Sequence, residues 1–260
     1  MKALDAESHL KELSPEAKRQ LVEFVTGNTL FVVAHELGHG VINEMNLPVL
    51  GREEDVADSF AIVTALHMGS WFSDRVLKQV TKGWFLSAKR DKKEGNELTF
   101  YGEHSLDLQR AYNIVCLMVG SDPEKYKTLA EVTELPQHRQ DSCVYEWKNM
   151  SWSWEEMLKK HLRAPDQPKV AIKVEYEETE AFAMQARIMR HMGLLEAFAA
   201  YFGEKYAWPR PLTFEAKSCG MANARWRQAV LTFCYELANE FIGLYQHYLT
   251  LLPAKAREER

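Results

Sequence analysis

Residues 31–43 read FVVAHELGHGVIN and contain an HExxH motif. On a helix, His35 and His39 lie one turn apart on the same face, so both imidazoles can reach one zinc ion. Glu36 lies beside the first histidine, close to the position of a zinc-bound water that it could deprotonate. Apolar residues flank the motif on nearly every side, which indicates a buried helix. The pattern therefore predicts a catalytic zinc helix.

A catalytic zinc ion also needs a third protein ligand and one open position. The segment GREEDVADSF, at the start of the next predicted helix, offers Glu53, Glu54, Asp55 and Asp58. We select Glu54 as the ligand, because Asp58 lies one turn later on the same face and can accept the second N–H of a zinc histidine. Glu53 and Asp55 are expected to point elsewhere. The alternative is that these acidic residues only complement the helix dipole.

Hydrolysis of a peptide bond also requires a donor for the developing oxyanion. The segment YGEHSLDLQRAYN, residues 101–113, contains Tyr101, His104, Arg110 and Tyr112 as candidates. We select His104 as a catalytic residue. The alternative is a surface or core histidine without a catalytic role.

Charge and hydropathy exclude several classes of protein. The formal net charge is −5, with 32 basic and 37 acidic residues, so electrostatics suggest neither nucleic acid nor an anionic membrane as a partner. No apolar run approaches the ~18 residues of a membrane span. The first residues, MKALDAESHLKELS, lack the apolar core and cleavage site of a secretory signal.

The order of predicted elements indicates an α+β protein that is mainly helical. Residues 1–163 form the helical, zinc-binding part, with a first helix over residues 5–25, a break at Gly27-Asn28 and a second helix from Thr29. The proline-containing stretch at residues 164–169 is the best candidate for a linker. Residues 170–260 follow as a strand, a helix, a hairpin and a final helix.

The hairpin is predicted to pair LTFEAKSCG with QAVLTFCYEL, where a Cys219–Cys234 bond could staple the two strands. The chain has four cysteines, and none of them lies in a CxxC pair, so a cysteine-based zinc site is not expected. The four cysteines could form two disulfides in three different pairings. The alternative is that all four are free thiols.

The sequence resembles a bacterial family described as "putative metallopeptidase". The residues that carry the resemblance are HELGHGVINEMNLPVLGREEDVADSFA, EHSLDLQRAYNIVCLMVGSDPEKY, LPQHRQDSC followed by YEW, and CGMANARW followed by CYEL. More distantly, HExxH with a downstream ExxAD resembles the Glu-zincin peptidases. The resemblance implies a zincin-like fold with a small sheet beside the zinc helix. It implies the same roles as the spacing: ligands His35, His39 and Glu54, base Glu36, and Asp58 as the residue that orients a ligand.

The segment order differs from the order that the resemblance implies. In the family, the CG, NA and CYEL segment precedes the zinc helix, whereas here it follows. Joining the end of this chain to its beginning restores the family order, so we expect a circular permutation within a single domain, residues 1–260. Trp226 stands where the family pattern has tyrosine, and no role is assigned to it.

Relatives of this kind commonly carry export signals, and their paired cysteines suit an oxidising compartment. The resemblance therefore favours a periplasmic or secreted origin, with Cys219–Cys234 and Cys116–Cys143 as the disulfides. The alternative is a cytoplasmic protein with free thiols.

These expectations combine into a zinc-dependent metallopeptidase with one Zn²⁺ ion per chain and a peptide or protein as substrate. A second hypothesis is a zinc-binding sensor or interaction module without turnover on a protease-like fold. A third is a helical protein in which HExxH occurs by chance. The sequence does not indicate the cleavage specificity or the oligomeric state.

Overall fold

The structure is a computed structural model that describes residues 13–252. Within this range the chain is mainly helical and has one four-stranded sheet, so the α+β class expected from the sequence is confirmed. The helices are α1 (Pro15–Glu44), α2 (Glu53–His67), α3 (Ser70–Glu94), α4 (Asp107–Ser121), α5 (Lys127–Val132), α6 (Gln137–Leu158), α7 (Ala183–Met192), α8 (Leu194–Lys205) and α9 (Tyr235–Leu251). The strands are β1 (Ile172–Tyr176), β2 (Leu212–Lys217), β3 (Ala224–Arg227) and β4 (Val230–Cys234).

The chain forms two compact units. The helical unit is Leu37–Leu162, and the described residues on either side of it form the mixed unit. The division falls inside α1, between Glu36 and Leu37, although the helix continues there without a break. In the part of the chain that the structure describes, no helix is both long enough and apolar enough to span a membrane.

Helix α1 is longer than the sequence pattern predicted. The break expected at Gly27-Asn28 is absent, so this prediction was wrong; residues 5–12 of the predicted first helix lie outside the described residues. Asn28 is buried, and its side-chain Nδ2 donates to the Phe24 carbonyl at 2.8 Å. The amide that would favour a turn in water is therefore satisfied inside the helix. Phe24 also packs against Tyr245 of α9, with 5.3 Å between the ring centroids.

Helix α4 is the centre of the helical unit. It packs against α2, α3 and α6, and its run from Ile114 to Gly120 is buried. This burial explains why the run is apolar on every side rather than on one stripe. A disulfide between Cys116 and Cys143 ties α4 to α6.

The sheet has the strand order β1-β2-β4-β3. The predicted hairpin of β2 with β4 is wrong, because these strands are parallel neighbours, as are β1 and β2. The actual hairpin joins β3 to β4, and its turn residues Gln228 and Ala229 both have positive φ, at 52° and 64°. Such turns usually contain glycine or asparagine, so the sequence carried no signal for this one.

The connection from β1 to β2 also differs from the prediction of one long helix. Gly193 adopts φ 59° and separates α7 from α8. The left-handed conformation is available to glycine without steric strain, so the chain can change direction here.

The Cys219–Cys234 disulfide joins the end of β4 to the loop after β2. The carboxylate of Glu236, in the first turn of α9, accepts hydrogen bonds in that loop from Ser218 Oγ at 2.7 Å and from the backbone N–H of Gly220 at 2.7 Å. Burial raises the pKa of Glu236, but these bonds and one from the Cys219 N–H outweigh burial and leave the pKa below its usual value.

Candidate metal centre

The HExxH motif lies in an uninterrupted part of α1, as the sequence predicted. His35 and Glu36 are 5% and 7% exposed, and the side chain of His39 is 15% exposed. The motif therefore combines a buried carboxylate with one buried and one partly accessible imidazole. An imidazole removed from water requires a polar partner, and the acidic start of α2 supplies carboxylates for this purpose.

Gly38, between the two histidines, allows α2 to approach α1 closely. A Cβ atom at this position would lie 2.9 Å from Ala57 Cα and 3.1 Å from the Ala57 carbonyl oxygen. Both are backbone atoms that cannot rotate away. The absence of a side chain at Gly38 therefore sets the separation of the two helices that carry the motif and the acidic residues.

Helix α2 begins with three acidic residues, which complement the partial positive charge of its N-terminus. Among them, Glu54 reaches His39: its Oε2 atom lies 3.4 Å from His39 Nε2. The same oxygen lies 2.8 Å from Nε2 of His104, which belongs to the loop between α3 and α4. One carboxylate oxygen of Glu54 thus lies close to imidazole nitrogens from two separate parts of the chain.

Three of these side chains form a group that could hold a metal ion. One potential ligand atom from each of His35, Glu54 and His104 lies within 4.8 Å of those from the other two. His39 lies beside this group through its contact with Glu54. The residues predicted from the sequence as ligands are therefore near one another, and the histidine predicted as an oxyanion donor lies among them.

Glu53 has a contact that the sequence interpretation missed. Its Oε1 atom lies 2.8 Å from Nδ1 of His39. The expectation that Glu53 points elsewhere was wrong, because glutamate at the first helical position is long enough to reach back to α1. A carboxylate on Nδ1 selects the tautomer in which Nε2 can bind a metal. A glutamate directly before the chosen ligand was the only sequence signal for this role.

Asp58 makes a bidentate ion pair with Arg110 of α4. The Nε and Nη2 atoms of Arg110 lie 2.7 Å from the two carboxylate oxygens, and the side chains are 10% and 6% exposed for Arg110 and Asp58. The guanidinium also stacks over Trp84, at 3.9 Å from the ring centroid. Arg110 therefore neutralises a buried acid. The contact of Asp58 with a zinc histidine stays a prediction.

The loop end that carries His104 is attached to the start of α2. Ser105 Oγ donates to Asp55 Oδ1 at 2.7 Å and accepts from Arg52 at 2.5 Å, while Arg52 pairs with Asp55 at 2.8 Å. These bonds hold the loop beside Glu54 independently of the histidine itself. Asp55, which was not expected to contribute, thus positions the neighbour of His104.

The other oxyanion candidates have different surroundings. Tyr101 is 94% exposed, and the Tyr112 hydroxyl donates to the Thr133 carbonyl at 3.0 Å. Arg110 is paired with Asp58, so its guanidinium is not directed at the Glu54 group.

Comparison with known families identifies the chain at the level of a family. The model of a family described as "Putative metallopeptidase" matches residues 3–158, more than half of the chain. The chain belongs to this family. The matched metallopeptidase range contains the HExxH motif, Glu54 and His104, but not residues 219–237, so the circular permutation stays a prediction. No match was found among curated proteins or among solved structures.

Proposed function

We propose that the protein is a zinc-dependent peptidase of the zincin-like type, with one zinc ion per chain held by His35, His39 and Glu54. The observation that carries the proposal is the group of imidazole nitrogens around the Glu54 carboxylate, together with the buried Glu36 that follows His35 in the motif. Membership of a metallopeptidase family supports hydrolysis of peptide bonds as the reaction.

The donor atoms fit zinc by their chemistry. Zinc binds imidazole nitrogen and carboxylate oxygen at about 2.0–2.2 Å, so two ligands of one tetrahedral ion lie ~3.4 Å apart. The 3.4 Å between His39 Nε2 and Glu54 Oε2 agrees with this spacing. When bound, zinc lowers the pKa of a coordinated water and polarises the substrate carbonyl.

The side chains around the donors would carry the proton transfers. Glu36 accepts a proton from the attacking water and then delivers it to the leaving amine, as a general base and afterwards a general acid. Its burial, at 7% exposed, keeps bulk water from competing for that proton. His104 donates from Nε2 to the developing oxyanion when substrate is bound, whereas Glu53 holds the ring of His39 in orientation.

The first experiment measures metal content and peptide hydrolysis on the same preparations. Purified wild-type protein should contain about one zinc per chain, and Glu54→Ala should contain much less, since the carboxylate ligand is lost. Glu97→Ala, which removes an exposed glutamate from the same unit, is the control for nonspecific metal binding.

Glu36→Gln separates chemistry from metal binding. This variant should retain zinc and the wild-type circular dichroism spectrum but lose hydrolysis of a peptide library. Equal hydrolysis by the wild type and Glu36→Gln would refute the general-base role, and a wild type that binds no zinc would refute the metal site.

One observation favours the second candidate function, a zinc-binding module without turnover. Structural zinc sites have four protein ligands, and the group of potential ligands includes His104 in addition to His35 and Glu54, with His39 in contact with Glu54. A wild type that binds one zinc tightly and hydrolyses no peptide in a broad library would support this alternative.

A further inference from the structure

The position of His104 points to a role beyond oxyanion stabilisation. We infer that His104 is a fourth protein ligand of the metal, so that three histidines and Glu54 would together hold the ion. This inference rests on the proposed function only in requiring a metal at that site.

The grouping of donor atoms supports a ligand role for His104. Its Nε2 atom is 2.8 Å from Glu54 Oε2, which is a hydrogen-bond distance. Two ligands of one tetrahedral ion lie ~3.4 Å apart, so His104 Nε2 would move by about 0.6 Å to bind the ion beside Glu54. The group that could hold an ion consists of His35, Glu54 and His104, with all ligand atoms within 4.8 Å of one another. His104 therefore meets the geometric condition for a ligand together with two residues of the proposed metal set.

The surrounding loop is built to present this histidine. Ser105, the next residue, is hydrogen-bonded to Asp55 and Arg52 at the beginning of α2. These contacts fix the backbone one residue away from His104 without using its imidazole. The ring, which is 52% exposed, can therefore leave the metal by side-chain rotation while the loop stays attached.

A closed site has a consequence for access. Catalytic zinc sites keep one position for water or substrate, whereas sites with four protein ligands do not. Substrate binding would therefore require His104 to leave the metal. Its Nε2 atom, which carries no proton while it binds a metal, would then take up a proton from solvent before it could donate to the oxyanion. His104 would thus be a metal ligand in the resting protein and an oxyanion donor when substrate is bound.

The competing explanation is that His104 only orients the Glu54 carboxylate through a hydrogen bond. Loss of such an outer partner lowers metal affinity by about 10–100-fold. Loss of a ligand should lower it further. Glutamine distinguishes the two roles, because its amide can donate to Glu54 but is a poor zinc ligand.

The test measures zinc affinity by competition with a chromophoric chelator, and the visible absorption of the protein loaded with Co²⁺. His104→Ala and His104→Gln should both weaken zinc binding by more than ~100-fold and should both alter the Co²⁺ spectrum, since a nitrogen ligand is lost. His138→Ala, which removes an exposed histidine from the same unit, should change neither quantity.

Wild-type affinity and spectrum in His104→Gln would overturn the inference and leave His104 as a positioning residue. An unchanged His104→Ala would overturn it as well. If Glu54→Ala loses zinc while both His104 variants keep it, only this inference fails. A wild type that binds no zinc would instead refute the proposed function together with it.

Discussion

Gly38→Ala tests whether the separation of α1 and α2 controls the metal centre. The added Cβ would lie 2.9 Å from Ala57 Cα, whereas carbon atoms in contact are optimally ~3.5–4.0 Å apart. The helices must therefore part by about 0.6–1 Å. Because Glu54 lies on α2, one turn before Ala57, it would move away from His39 by a similar distance.

The effect on stability should be small compared with the effect on the site. Overpacking an interior lowers the free energy of unfolding by ~1–3 kcal/mol, while alanine is ~1 kcal/mol more favourable than glycine inside a helix. The net loss is about 0–2 kcal/mol, which corresponds to a decrease in Tm of at most ~8 °C. A displacement of ~1 Å at a catalytic centre can reduce the rate ~100-fold.

The assay compares Tm, zinc affinity and kcat/KM for wild type and Gly38→Ala. Gly243→Ala is the matched control, because this helical glycine of α9 has nothing within 4 Å of an added Cβ. The control should be unchanged or slightly stabilised. Adding Ala57→Gly should not restore Gly38→Ala, since the atoms closest to the new Cβ are backbone atoms. Wild-type zinc affinity and kcat/KM in Gly38→Ala would refute the reasoning.

Four further predictions follow from the contacts. Glu53→Ala should weaken zinc binding by ~10–100-fold in the chelator assay, because His39 loses the carboxylate on Nδ1; unchanged affinity would contradict that role. Arg110→Ala should lower the free energy of unfolding in urea by ~3–5 kcal/mol, since it removes the bidentate cationic partner of the buried Asp58 carboxylate, and an unshifted urea midpoint would exclude this. Cys116→Ser should lower the free energy of unfolding by about 3.5 kcal/mol when it is measured without reductant, because the lost disulfide spans 27 residues. Wild-type protein measured with reductant should have the same stability as this variant. The pKa of Glu236 is lower in the folded state than its usual value of 4.5, so the ionised carboxylate stabilises the fold above pH 4.5. This stabilisation is lost as the pH falls through the folded-state pKa. The Tm measured from pH 6 to pH 3 should therefore fall less steeply in Glu236→Gln than in wild type.

The parts of the fold that depend on local spacing could be predicted from the sequence. The helix through His35 and His39 and the start of α2 at the acidic residues follow from periodicity and end preferences, which involve neighbours within one turn. The break at Gly27-Asn28 was predicted wrongly because burial of Asn28 overrides a preference that holds in water.

The strand pairing was decided by tertiary structure. The pattern of alternating residues identifies β2 and β4 as strands, but it does not state which strands are neighbours. The insertion of β4 between β2 and β3 depends on a turn at Gln228 and Ala229 that has no glycine. Such a turn is stabilised by the sheet around it rather than by its own residues.

At the candidate site, the available residue types and their positions on each helix face could be predicted from the sequence. It could not determine that Glu53, and not only Glu54, contacts His39, because that depends on how closely α2 approaches α1 at Gly38. Nor could it place His104 beside Glu54, because these residues are 50 positions apart and the loop that carries His104 is hydrogen-bonded to α2 through the neighbouring residue. Helical periodicity acts over a few residues, whereas a metal centre is assembled by packing between segments that are distant in the sequence.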